Sequence, residues 1–184
     1  MFTYLVAAIP FGLIVAKSKG IDLRTVGSGN IGSTNVYRAL GIKYAVIVFI
    51  LDSIKGAIPT YLAIYFIDNP WVHVAIGAIA IVGHSLSCFV KFKGGKGAAT
   101  AIGVIIALGP SVSVITILLA IVMIAITRIV SLTTITCSVL TPLLFYIFDY
   151  PLEYTLSLAV IAMFIIARHR ANIVRLIQNK ENKI

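Results

Sequence analysis

Seven apolar runs, separated by short polar segments, limit what this chain can fold into. They cover residues 2–16, 44–67, 71–90, 98–108, 111–127, 131–148 and 152–167. A helix crosses hydrocarbon with about 20 apolar residues, in a range of roughly 17–25. Several runs meet that length, the first is short, and 98–108 is clearly short. Hydrophobic residues make up 60% of the chain and charged residues 11%, far from the roughly one-half and one-quarter of soluble domains. The expected fold is therefore an all-α integral membrane protein. It forms one domain over residues 1–184, because the polar stretches are too short to fold separately. The turn pair Gly109-Pro110 separates two runs and brings the expected number of transmembrane helices to seven.

The net charge of +9 would suit a nucleic-acid binder, but its distribution indicates membrane topology instead. With the N-terminus outside and every run crossing, the inner segments hold Lys17, Lys19, Arg24, Arg38 and Lys43, then Lys91, Lys93 and Lys96, then Arg128, and finally Arg168, Arg170, Arg175, Lys180 and Lys183. The outer segments hold no Lys or Arg, and their charged residues are Asp68, Asp149 and Glu153. This is the positive-inside bias. It places the C-terminus in the cytoplasm and makes anionic lipid and anionic substrates the natural partners. Nucleic acid is not expected.

Three polar stretches then share the cytoplasmic side: GSGNIGSTNVYRALG (27–41), GHSLSCFVKFKGGKGAAT (83–100) and ARHRANIVRLIQNKE (167–181). The first contains G-x-G-x-x-G at Gly27, Gly29 and Gly32, but no βαβ unit surrounds it, so a dinucleotide fingerprint is excluded. Its glycines still let backbone N–H groups approach a phosphate. Ser33 or Thr34 is expected to cap a short helix that stops at Gly41. Thr34 and Arg38 share a face of it. KGGKGAAT lacks the Ser/Thr and upstream Gly of a P-loop, but it brings Lys96 to a helix N-terminus, a natural anion site. In the third stretch the last membrane helix is expected to run on into the cytoplasm, with His169 and Asn172 on one face and Arg170 and Arg175 at lipid headgroups. Asp52 and Lys55 are three apart and can pair in low dielectric. His73 reads as structural, and Cys88 and Cys137 read as small hydrophobes.

The inner-side carboxylates Asp22, Glu181 and Asp52 are too scattered for a metal site, so no metal or cofactor is expected. That disfavours CDP-alcohol phosphotransferases and metal phosphatases. There is no G-x-S-x-G elbow, and no histidine has an aspartate five positions on. The chain is rich in anion holders and poor in strong bases. Acyl transfer from an acyl phosphate suits such a site, because phosphate leaves readily.

With GSGNIGSTN…R, GH…F-K-G-G-K-G-x-A-T, HR-x-NI-x-RL and LDSIKG, nearly the whole chain resembles the bacterial acyl-phosphate:glycerol-3-phosphate acyltransferases of the PlsY type. The resemblance implies transfer of a fatty acyl group from acyl phosphate to glycerol-3-phosphate, giving 1-acylglycerol-3-phosphate (lysophosphatidate) and phosphate. It implies binding of phosphate or glycerol groups by Ser28, Asn30, Thr34, Asn35 and Arg38, supported by Gly27 and Gly29. It implies a phosphate cradle of Lys96 with Gly94, Gly95 and Gly97, a polar floor at His84, and His169 and Asn172 completing the pocket. Ser28, Lys96, His169 and Asn172 are the candidate catalytic groups. A candidate partner is the soluble enzyme that makes acyl phosphate from acyl carrier protein. Ser33, Leu86, Ser87, Lys91 and the residues before Glu181 depart from the family pattern. The alternatives are a small organic-phosphate transporter, which needs polar residues through several spans, and a non-catalytic lipid-binding subunit.

Overall fold

The computed structural model describes residues 1–184 and is helical throughout, without strands. Its helices are α1 (Phe2–Ala8), α2 (Phe11–Lys17), α3 (Ser33–Leu40), α4 (Ile42–Phe66), α5 (Pro70–Ser85), α6 (Ala98–Leu108), α7 (Pro110–Thr127), α8 (Val130–Ile147), α9 (Leu152–Arg168) and α10 (Arg170–Ile177), with a short 3-10 turn at Cys88–Val90. All seven apolar runs are thus helical. Four stretches, α4, α7, α8 and Pro70–Val90 (α5 with the turn that follows it), are long and apolar enough to cross a membrane. The bent pair α9–α10 would make five, while residues 2–17 and α6 are shorter. Ile58, Leu118, Val139 and Val160 are each more than half exposed, as expected for a bundle whose outer surface meets lipid rather than water.

The helix ends follow from local chemistry. Asn69 caps α5 by accepting from the Trp71 N–H at 3.0 Å, and Pro70 occupies the first turn, where its missing N–H costs nothing. Gly109 ends α6 and starts α7, so Gly109-Pro110 is the tight turn that the sequence predicts. Gly41 ends α3 at φ 83°, a conformation that favours glycine.

Three expectations are corrected. The first run is not one helix but breaks at Ile9-Pro10. Lys55 Nζ donates to Ile9 O at 3.0 Å and Ser87 Oγ to Ala8 O at 2.6 Å, so carbonyls freed by the break keep donors inside the bundle. The last membrane helix does not run straight on, because α9 and α10 meet at His169 with a 64° bend. Finally, α3 is preceded by Gly32 and has no side-chain cap from Ser33 or Thr34.

Close packing of α4 on α6 positions the site. A side chain on Gly56 would overlap Thr100 O, and one on Gly103 would overlap Ser53 O. Small residues of this kind let backbones approach where hydrophobic driving force between helices is weak. The main core joins α5 to α9 through Val74, Ile81, Val104, Val112, Phe145 and Tyr154. A second cluster of Leu13, Ala16, Leu23, Ile31, Val36 and Val48 fixes the glycine-rich loop and α3 against α2 and α4.

Candidate active site

The three polar stretches converge on one cavity of about 90 Å³ at one end of the helix bundle. Ser28, Asn30, Thr34, Asn35, Arg38, His84, Lys96, Gly97, His169 and Asn172 all line it. Gly27, Gly29, Gly94 and Gly95 do not line it but shape the loops behind it.

In the first loop Gly27 and Gly29 adopt φ 57° and 68°. Asn35, 1% exposed, is the strut of that loop. Its Oδ1 accepts from Ser28 N–H at 2.9 Å, and its Nδ2 donates to Leu23 O and Val26 O, both at 3.1 Å. The expectation that this loop turns its N–H groups toward a phosphate is therefore narrowed, since three of them are spent inside the protein. The Ser28 N–H is taken by Asn35, the Gly29 N–H by Val26 O, and the Gly32 N–H by Asn30 Oδ1. The N–H groups of Ser33 and Thr34 in the first turn of α3 have no partner within the protein and, with the side chains of Arg38 and Lys96, are left to hold an anion. The Arg38 Nε is buried and makes no hydrogen bond within the protein.

The second loop is tied to the end of α5. Gly94 N–H donates to Ser85 O at 3.1 Å and Gly95 N–H to His84 O at 3.2 Å. Side chains at these glycines would overlap His84 O and the His84 ring, respectively. Arg168 Nη2 reaches Ser85 O, Gly94 O and Gly95 O at 3.1–3.4 Å. Lys96 thus leaves a turn held on both sides. His84 lies 3.5 Å from Asp52 through its Nδ1, and Asp52 lies 2.7 Å from Lys55, all three nearly inaccessible. The expected Asp52–Lys55 pair is present, and it extends to His84 and reaches the cavity wall, a link between helices that spacing along the chain does not reveal.

In the third stretch Lys96 Nζ donates to Asn172 Oδ1. Asn172 Nδ2 donates to Glu181 Oε1 at 2.7 Å, and Arg175 Nε to Glu181 Oε2 at 2.8 Å. Arg175 therefore serves Glu181 rather than lipid headgroups. Arg38 Nη2 donates to Asn182 O at 3.2 Å. His169, 3% exposed, donates from Nδ1 to Ile165 O at 2.8 Å. The carbonyl only accepts, so the neutral ring carries its proton there and keeps Nε2 as an acceptor.

Burial is the largest influence on Lys96, whose pKa falls to about 8. Glu181 partly opposes this, while Arg175, Arg38 and Arg168 reinforce it. Burial also acts most strongly on Glu181, raising its pKa, but the bonds from Asn172 and Arg175 outweigh it and hold the carboxyl below its usual range. Both carboxylates lining the cavity are paired with cations, so the free charge facing it is positive.

A larger apolar cleft of about 480 Å³ opens beside the polar cavity. The two share Ser33, Thr34, Ala98, Ala99, Val130 and Thr134. Sequence reasoning missed this cleft, along with the bracing role of Arg168 and the anchoring role of Glu181. The cleft carries no motif, and Arg168 resembles any cation at a membrane edge.

A family model described as glycerol-3-phosphate acyltransferase matches residues 1–179. A glycerol-3-phosphate acyltransferase of Aquifex aeolicus is 45% identical over 185 residues, covering 100% of this chain and 96% of that protein. One from Fusobacterium nucleatum is 44% identical, with 100% and 95% covered. Among solved structures, the glycerol 3-phosphate form of PlsY (YgiH), an integral membrane glycerol 3-phosphate acyltransferase, superposes with a TM-score of 0.96 at 44% identity. It covers 100% of this chain and 92% of its own. The lysophosphatidic acid form gives 0.93 at 43% identity, with the same coverage.

Proposed function

The chain belongs to the glycerol-3-phosphate acyltransferase family, and from that premise we propose that it transfers a fatty acyl group from acyl phosphate to the sn-1 hydroxyl of glycerol-3-phosphate. The observation that carries this reading is the junction of a small cationic cavity with a long apolar cleft. A substrate pair with two phosphates and one fatty chain matches both halves. The related PlsY forms, with glycerol 3-phosphate and with lysophosphatidic acid, support the acceptor and the product.

In this scheme the glycerol O1 attacks the acyl carbonyl and forms the ester bond. The bond from carbonyl carbon to phosphate oxygen breaks, and the hydroxyl proton ends on the departing phosphate. Products are lysophosphatidate and inorganic phosphate, the first acylation of bacterial phospholipid synthesis. Lys96 and Arg38 neutralise the phosphates and the developing oxyanion. Ser28, Asn30 and Thr34 orient the glycerol and phosphate oxygens, while Asn35 acts by holding their loop. Asn172 aims Lys96, and His169 Nε2 accepts a hydrogen bond from the acceptor hydroxyl. His84 and the glycines at 94, 95 and 97 fix the turn beneath Lys96. Alignment of hydroxyl and carbonyl in one cavity supplies much of the rate.

Seven crossings with the N-terminus outside and this site facing the cytoplasm of a bacterial inner membrane accord with the cations that surround it. The transporter reading is disfavoured by the closed apolar core beyond the cleft, where Val112 and Phe145 are fully buried.

The test is incubation of detergent-solubilised protein with palmitoyl phosphate and glycerol-3-phosphate, with palmitoyl-CoA as a parallel donor. Equal amounts of phosphate and lysophosphatidate, from acyl phosphate alone, are expected. Product from palmitoyl-CoA alone would overturn the donor assignment.

A further inference from the structure

The apolar cleft has a definite floor. Its deepest lining residues are Thr116 on α7, Thr141 on α8 and Leu158 on α9, exposed by 5%, 6% and 4%. One helical turn farther along each helix stand Val112, Phe145 and Tyr154, which belong to the main core and do not line the cleft. Phe145 packs against Tyr150 at 4.8 Å and Tyr154 at 6.3 Å between ring centroids. The Tyr154 hydroxyl is held by His73 Nδ1 at 2.6 Å, and the other nitrogen of that ring meets Ile67 O. The floor is thus an aromatic plug braced from α5.

The depth can be counted independently on the three helices. Thr141 lies 11 residues from Val130, Thr116 lies 11 from Thr127, and Leu158 lies 10 from Arg168. At about 1.5 Å per residue, each count places the floor roughly 15–17 Å below the inner helix ends. A fully extended chain advances about 1.1–1.2 Å per bond, since three backbone bonds span roughly 3.3–3.6 Å. The cleft therefore accepts about 13 to 15 bonds before a straight chain meets Phe145.

We infer that this floor is a ruler, with Phe145 and Thr116 as specificity-determining residues that fix the acyl chain at about 14 to 16 carbons. The inference rests on the acyl-phosphate reading above. Thr116 is the natural gauge, because its Oγ1 is buried and makes no hydrogen bond, so replacing it breaks no polar contact of that hydroxyl. Each methylene that fits the cleft should raise kcat/KM by about fourfold through burial, and each one past the floor should add nothing or subtract.

The experiment measures kcat/KM of wild type, Thr116→Phe and Phe145→Ala with octanoyl, lauroyl, myristoyl, palmitoyl, stearoyl and arachidoyl phosphates at fixed glycerol-3-phosphate. Wild type should rise with chain length and break near 14 to 16 carbons. Filling one turn of the cleft with Thr116→Phe should move the break down by about five carbons, since a turn is 5.4 Å. Stearoyl turnover should fall at least tenfold relative to lauroyl, and retained lauroyl turnover reports a folded enzyme. Phe145→Ala should move the break upward. A wild-type profile without a break up to 20 carbons overturns the ruler whether or not either variant folds. So does a Thr116→Phe protein, active on lauroyl phosphate, whose break is unmoved. Wild type that turns over none of the six donors defeats the acyl-phosphate reading itself, a different result from turnover without length preference.

Discussion

Replacing Lys96 with methionine keeps the length of the side chain and removes its charge. Lys96 titrates at about 8 rather than 10.5, mainly because its ammonium is buried, with neighbouring arginines adding repulsion. At 1.36 kcal/mol per unit, holding that charge costs the folded protein about 3 kcal/mol at pH 7. Between about pH 8 and 10.5 the unfolded chain keeps its proton while the folded one releases it, so the penalty shrinks as pH rises through that window; below 8 it is present in full. Lys96→Met removes the penalty but leaves Asn172 Oδ1 without its donor, a loss of roughly 1–3 kcal/mol. The two nearly cancel, so the Tm of the variant should stay within about 5 °C of wild type, at roughly 2–4 °C per kcal/mol. Nothing cancels in catalysis, where loss of one preorganised donor costs about 10²–10³ in kcat. Thermal unfolding in detergent and phosphate release from palmitoyl phosphate at pH 7 measure both. A folded Lys96→Met that keeps more than about a tenth of wild-type kcat would refute the role. A fall in Tm beyond about 10 °C would refute the charge-penalty argument. In wild type, kcat/KM should decline as pH rises through about 8, because the free enzyme then loses the cation that meets the phosphate.

Gly95→Ala puts a methyl group into the His84 ring and should displace Lys96, cutting kcat/KM about 100-fold while the protein remains folded, a split read by kinetics beside circular dichroism. Asp52→Asn leaves Lys55 buried without its carboxylate and should cost about 3–5 kcal/mol, most of it recovered in the double variant Asp52→Asn with Lys55→Met, as a thermal double-mutant cycle would show. Asn35→Leu strands the Ser28 N–H and two carbonyls and should cost about 2–4 kcal/mol, with faster proteolysis in residues 24–32; unchanged proteolysis would count against the strut.

Much of this fold is legible in the sequence because a membrane demands that every spanning segment be apolar and helical. The runs, the Gly41 stop and the Gly109-Pro110 turn all follow. The candidate site residues stand out less by being polar, which topology alone asks of Arg38 and Lys96, than by the pattern of Gly, Ser, Asn and His around them, which a solvated basic loop does not need, and the structure brings Ser28, Arg38, Lys96 and Asn172 to one cavity. What stays hidden is set by partners distant in sequence. Arg168 braces carbonyls more than seventy positions away, and Lys55 serves a helix break at Ile9. The cleft is hidden for a deeper reason. Lipid and acyl chain are the same solvent, so Leu158, which faces the cleft, and Val160, which is 60% exposed, look alike in composition. His169 and Asn172 do line one cavity, but not as neighbours on a straight helix. Counting residues along a continuous helix puts them on one face, but the chain bends by 64° at His169, and that bend swings Asn172 under Lys96. A straight continuation of α9 would carry Asn172 about 4.5 Å past His169 along its axis, against about 2 Å with the bend, so the bend itself is part of the site, and a substitution that straightened it would remove Asn172 from the cavity without touching a motif residue.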